Sequence, residues 1–195
     1  MSILDRLLEW EKTDGAELFR RMGVREGSVV VDFGAGHGHF AMAAAAAAGK
    51  SGRVIALDRN GESIEALGKR ALAEGVSNLN TILTDGGTEI GLDGGSVDFV
   101  LFYDILHMPG LNRAELIAEA HRVLRSGGVL SVLPFHMDDD RKTALEGEIV
   151  AAGFERSEQI PGAGLHCGLL YSAMEDGSAD FESAERGTVY NYGKH

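Results

Sequence analysis

Cysteine is almost missing from this chain: Cys167 stands alone among 195 residues. One thiol cannot close an intramolecular disulfide, so a stapled secreted scaffold is excluded. Cations are also scarce, with 18 Lys and Arg against 30 Asp and Glu and a formal charge of -12. Neutralising a phosphate backbone takes clustered Lys and Arg, so no nucleic-acid partner is expected. No apolar run reaches the about 18 residues that a membrane-spanning helix needs. The opening residues, Met1 to Arg6, lack the basic segment and apolar stretch of a secretion signal, which sets the expectation of a cytoplasmic protein. Against these shortages stand 44% hydrophobic residues, enough for one substantial core, and 27 glycines. The length suits a single domain of about 100–200 residues.

Short β-rich runs alternate with helical patterns, which predicts an α/β domain built on a largely parallel sheet. The runs are Ser28 to Phe33, Arg53 to Asp58, Leu79 to Asp85, Val97 to Asp104 and Val129 to Phe135. Their near-continuous apolar character fits strands covered on both faces. Helices are expected over His39 to Ala48, Glu62 to Glu74, Asn112 to Arg125 and Asp138 to Ala152. The first is nearly all alanine and stops at Gly49. The third opens on a capping asparagine with Glu115 three residues on, and the fourth opens on three aspartates. Phe154 to Ile160 and Leu165 to Ala173 flank Pro161-Gly162 and read as a closing antiparallel hairpin. Ser2 to Met22 reads as amphipathic helix broken near Asp14-Gly15. The division that follows is a helical lid over residues 1–25, a core domain over 26–174 and a polar tail over 175–195. With few apolar residues and no period, the tail is expected to be mobile.

The most informative stretch is Val29 to Phe40. A strand ends in Asp32, and Gly34, Gly36 and Gly38 follow before a helix opens. Glycine lets the backbone turn sharply and approach a ligand without a Cβ in the way. The dinucleotide fingerprint G-x-G-x-x-G would need glycine at position 39, where His39 stands, so NAD binding is a poor match. Two more acids end strands, Asp58 and Asp85, spaced 26 and 27 residues along. In an open parallel sheet, ligands bind at the carboxyl edge near the switch in strand order, so these acids can converge on one crevice. A carboxylate after the second strand can accept from both hydroxyls of a ribose. Each acid taken singly is equally well explained as a cap or turn residue.

These motifs, with the later stretches Leu101 to Met108 and His121 to Val132, resemble the class I S-adenosylmethionine-dependent methyltransferases. The similarity is greatest to the branch of ubiquinone/menaquinone-type C-methyltransferases acting on small molecules. The family pattern D-x-G-x-G-x-G falls on Asp32, Gly34, Gly36 and Gly38 without a gap. The resemblance implies a Rossmann-like sheet of seven strands with helices on both faces, the last strand antiparallel. It implies S-adenosylmethionine as cofactor: the loop Gly34, Ala35, Gly36 and Gly38 at its methionine portion, with Asp32 near the amino group. Asp58 would take the ribose hydroxyls, Arg59 and Asn60 would lie beside the adenine, and Asp85 would accept from the adenine amino group with Gly86 adjoining.

At the end of the fourth strand, Phe102 and Tyr103 are expected to face the cofactor, aromatic faces being favourable beside a sulfonium. Asp104 and His107 are the candidates for general base or acceptor-orienting group, although His107 fits a packed or capping role as well. His136 with Asp138, Asp139 and Asp140 could be drawn into a metal site facing Asp104, but acids at a helix start are explained by the helix, and no metal is expected. Trp10 and Phe19 of the lid either face substrate or pack on the core, and packing is favoured. The slight substrate apparatus points to a small-molecule acceptor, or to a homodimer in which a second subunit completes the pocket.

Overall fold

The computed structural model describes residues 3–165 and 186–195. Thirteen elements follow one another: α1 (Ile3–Lys12), α2 (Asp14–Arg21), β1 (Val29–Phe33), α3 (His39–Ala48), β2 (Arg53–Asp58), α4 (Gly61–Ala73), β3 (Leu79–Leu83), β4 (Val97–Tyr103), α5 (Arg113–Val123), β5 (Leu124–Leu133), α6 (Asp139–Ala151), β6 (Phe154–Leu165) and β7 (Arg186–Lys194). The strands form one sheet in the order β3-β2-β1-β4-β5-β7-β6. The first five are parallel, and β7 runs antiparallel to both β5 and β6. The chain begins at β1, steps outward to β3, and returns on the other side of β1 as β4. The strand order therefore switches between β1 and β4, the place where such sheets open a crevice.

Period-two alternation divides the sheet's side chains between two cores. Val30, Val54, Ala56, Phe99, Leu101 and Tyr103 pack with α1 to α4 on one face, and Val31, Ile55, Leu57, Val100, Phe102 and Val132 pack with α5 and α6 on the other. The alanine run of α3 is explained by its position between the sheet and the amino-terminal helices. A Cβ on Gly15 of α2 would stand 3.0 Å from that of Ala43, so only small residues allow this approach. The expected caps form: Asn60 accepts from the backbone N–H of Glu62 and Ser63, Asn112 from Glu115 and Asp138 from Arg141.

Two expectations are corrected. The amino-terminal helices do not lie over the crevice as a lid. Trp10 and Phe19 are buried, and α1 is fastened from beneath by Glu11, whose carboxylate meets the ring of buried His39 on α3 and accepts from Arg70 of α4 at 2.9 Å. The closing hairpin is also built differently. Pro161-Gly162 lies inside β6, at a register irregularity between Ile160 and Gly164, rather than at a turn. The partner of β6 is β7, in the segment expected to be a mobile tail. Val189 and Tyr192 are buried there, and Lys194 Nζ donates to the carbonyls of His121 and Leu124 at 2.6 and 2.7 Å, tying the chain end to the close of α5. The rest of the expected second arm, 166–173, and of the tail, 175–185, lies outside the described residues.

Candidate active site

The three loop glycines all adopt left-handed backbone, with φ of 81°, 52° and 77° at Gly34, Gly36 and Gly38. Gly34 and Ala35 donate their N–H groups to Leu57 O at 2.8 and 3.0 Å, which pins the loop to the end of β2. Space separates the glycines by role. A Cβ on Gly34 would come within 2.4 Å of Ile105 Cγ2, and one on Gly38 within 2.3 Å of Leu67 Cδ1, so both are required by packing. Gly36 has nothing within 4 Å of that position. Its bare backbone faces open space, as a loop that admits a ligand would.

Asp58 sits half-buried at the end of β2. Its Oδ2 accepts from Gly36 N at 2.7 Å and its Oδ1 from Asn60 N at 2.8 Å. A carboxylate has about four lone-pair sites, so two bonds leave capacity for a diol. Asp32, at the end of β1, is buried, and its Oδ2 has no hydrogen-bond partner among the described residues. Burial, with the nearby charge of Asp58, pushes its pKa up to about 7, against the pull of the Ala41 N–H that donates to it. A buried carboxyl oxygen without a partner is costly unless something cationic or donating comes to it. Asp85 is placed less favourably: it is exposed, and its Oδ1 accepts from Gly87 N at 2.9 Å in a local turn.

Beside the loop opens a cavity of about 410 Å³, lined by Phe33, Gly34, Leu57, Asp58, Arg59, Thr84 and Gly86 on the β1–β3 side. Its far wall is the segment after β4, with Ile105, Met108, Pro109, Gly110 and Leu111. Size and mixed lining suit a small-molecule site, for which about 300–1,000 Å³ is usual. The cavity thus brings together Gly34, Asp58, Arg59 and Gly86 of the expected set. Asn60 is engaged as the cap of α4. The apolar far wall was missed in the sequence; Ile105, Met108 and Leu111 in a loop were the available signal, since loops have little other reason to carry such residues.

Tyr103 is not brought to the cavity. It shares a sheet face with Phe99 and Leu101, stands edge-on to Phe40 at 4.6 Å, stacks on Phe19 at 6.4 Å, and shares a 2.8 Å hydrogen bond with Ser131. Burial raises its pKa well above the ordinary phenol value. Phe102 is likewise core, edge-on to Phe33. The sulfonium-facing aromatic role expected of the two rings is therefore not supported by their placement.

Asp104 and His107 do come together. Asp104 has positive φ (56°), a conformation uncommon outside glycine, and its N–H donates to Leu133 O at 2.8 Å. Its Oδ1 lies 3.4 Å from His107 Nδ1 and 2.8 Å from His136 Nδ1. The two imidazoles are themselves neighbours, with ring centroids 4.6 Å apart. Asp138 is occupied as a cap, and Asp139 pairs with Lys142 at 3.4 Å, as the helix-start explanation of these acids required.

The methyltransferase-domain family matches residues 30–128, just over half of the chain and all of the glycine loop and cavity lining. A ubiquinone/menaquinone biosynthesis C-methyltransferase of Hydrogenovibrio crunogenus is 33% identical over 116 residues, 58% of this chain and 44% of that protein. The match thus spans less than half the length of that relative. Among solved structures, an S-adenosylmethionine-dependent methyltransferase from Aquifex aeolicus superposes with a TM-score of 0.68 at 17% identity, covering 94% of this chain and 90% of that one. The [4+2]-cyclase SpnF superposes with a TM-score of 0.67 at 15% identity, covering 94% and 81%. At these identities the structures speak for the fold. Among the described residues no helix is long and apolar enough to cross a membrane.

Proposed function

The chain belongs to the class I S-adenosylmethionine-dependent methyltransferase family, and from that premise we propose that it transfers a methyl group to a small-molecule acceptor at the cavity beside β1, β2 and β4. The observation that carries the reading is the joint placement of open Gly36 and the Asp58 carboxylate at one mouth, next to an unpartnered buried Asp32 oxygen. Bound there, the cofactor would supply a methyl group on an electron-poor sulfonium. Asp58 accepts from the ribose diol, Arg59 and Gly86 border the adenine, and the Asp32 carboxylate receives the ammonium of the methionine portion. Asp85 reaches the adenine amino group only by leaving its turn with Gly87, so its role is secondary to that of Asp58.

The apolar wall of Ile105, Met108 and Leu111 excludes water from the transfer. Displacement at an activated carbon needs alignment and dryness more than a covalent intermediate. Asp104 and His107, at the lip of β4, hold the acceptor and assist loss of its proton.

Calorimetry with S-adenosylhomocysteine and with NAD tests the reading. The first should bind and the second should not, and Asp58→Ala should weaken the first by about 1.5–3 kcal/mol, as expected for removal of a charged hydrogen-bonding partner. Preference for NAD would overturn the assignment. The superposition of a cyclase keeps one other reading open to experiment, cofactor binding without methyl transfer. Release of S-adenosylhomocysteine across a panel of small acceptors separates the two.

A further inference from the structure

We propose that Asp104, His107 and His136 form a site for one divalent first-row transition-metal ion, whose open positions take an oxygen of the acceptor. No metal was expected from the sequence, because the carboxylates after β5 belong to the start of α6. The geometry points to a different donor set. One carboxylate oxygen and one nitrogen from each imidazole lie within 4.8 Å of one another. Around an ion with bonds of about 2.1 Å, neighbouring ligands stand about 3.0 Å apart in an octahedron and about 3.4 Å apart in a tetrahedron. The two distances from Asp104 Oδ1, 2.8 and 3.4 Å, already match those edges. The third, between the imidazoles, closes by a small turn of His136, whose side chain is half exposed.

Chemistry narrows the ion. Two imidazoles with a carboxylate suit zinc, iron, cobalt or nickel, whereas magnesium and calcium prefer oxygen alone. Three protein ligands leave positions open, as in sites that bind substrate and unlike closed structural sites. The scaffold is rigid: Asp104 and His136 come from the ends of adjacent parallel strands, in register at Tyr103 and Leu133 and joined by the Asp104 N–H. The place is also right, since Ile105 and Met108, which flank Asp104 and His107, line the cavity. An acceptor bearing a hydroxyl or carboxylate oxygen would thus be held at the cavity mouth by the ion. That last step rests on the methyltransferase reading; the metal site does not.

The test is titration of the full chain, freed of metal by chelator, with cobalt(II) followed by its visible absorption and with zinc(II) followed by calorimetry. One ion per chain should bind with an absorption spectrum of nitrogen and oxygen ligation. His107→Ala, His136→Ala and Asp104→Asn should each weaken binding by at least about 100-fold, the upper end of what loss of a mere supporting contact costs. Asparagine is chosen at 104 because it tolerates positive φ. Asp139→Ala, a fully exposed acid nearby, should leave affinity unchanged. S-adenosylhomocysteine affinity, measured on the same samples, should be retained in every variant, which also verifies folding. Absence of stoichiometric binding, or binding indifferent to the two histidines, overturns the metal site while leaving the methyltransferase reading intact. Metal binding without any cofactor binding overturns that reading and leaves the site standing.

Discussion

Asp32 is the residue in which environment and role are most closely joined. Its folded pKa of about 7 lies above the ordinary 3.8, so folding favours the neutral acid. The sign follows: its stabilising contribution is complete below about pH 4 and is lost as pH rises through about 7. Asp32→Asn, which keeps the neutral shape, should therefore gain stability over the parent between pH 5 and pH 8, by a margin on the order of 3–4 kcal/mol for three pKa units at full burial. Urea unfolding at the two pH values checks this, and parallel behaviour of parent and variant would refute it. The same charge has a use. A cationic ligand group beside Asp32 draws off its proton, so cofactor affinity should rise from pH 6 to pH 8 in the parent and stay flat in the variant. Of this site, the glycines and Asp58 were legible in sequence because their signal is local: a strand end, a spacing, a required backbone conformation. Tyr103 was misread because facing is decided by the pleat. Two residues beyond Leu101 and four beyond Phe99, it had to fall on their side, among Phe19 and Phe40.

At the scale of elements, β7 carries the largest correction. Arg186 to Lys194 looked too polar to be ordered, and a strand at the edge of the sheet would bear that judgement out. This strand is interior. It hydrogen-bonds on both sides, to β5 and β6, and polar Asn191 is buried with its Nδ2 donating to Glu158 Oε2 at 3.1 Å. Backbone pairing and one ion-tethered amide replace much of the apolar surface that sequence reading counts, and neither leaves a periodic mark. A chain ending at residue 185 should accordingly lose cooperative thermal unfolding, because β6 would be left unpaired and β5 would become an edge. An unchanged melting curve by circular dichroism would restore the mobile tail. The amino-terminal helices were legible as helices and as packed elements, through Trp10 and Phe19. The pin beneath them was not: Glu11, His39 and Arg70 are 28 and 59 residues from the first to the others, and nothing in a charge pattern joins them.

For the whole molecule, the charge of -12 acts on ligands before any contact is made. Potentials of several kT raise the local concentration of an oppositely charged ligand and are screened within about 10 Å at 0.1 M salt. The cofactor and its product differ here in one respect. The sulfonium gives S-adenosylmethionine a net positive charge, and the thioether of S-adenosylhomocysteine gives none. Both would meet the same Asp58, Arg59 and Gly36, so direct contacts cancel in the comparison. Raising salt from about 0.02 M to about 0.5 M should therefore weaken the cofactor by several-fold more than the product. The difference should appear chiefly in the association rate, since steering is a long-range effect. Stopped-flow binding of both ligands across that range is the measurement. Equal salt dependence would mean that the acidic surface is spread evenly and contributes no field at the cavity. A steeper slope for the cofactor would mean that the molecule as a whole favours entry of the charged reactant and release of the neutral product.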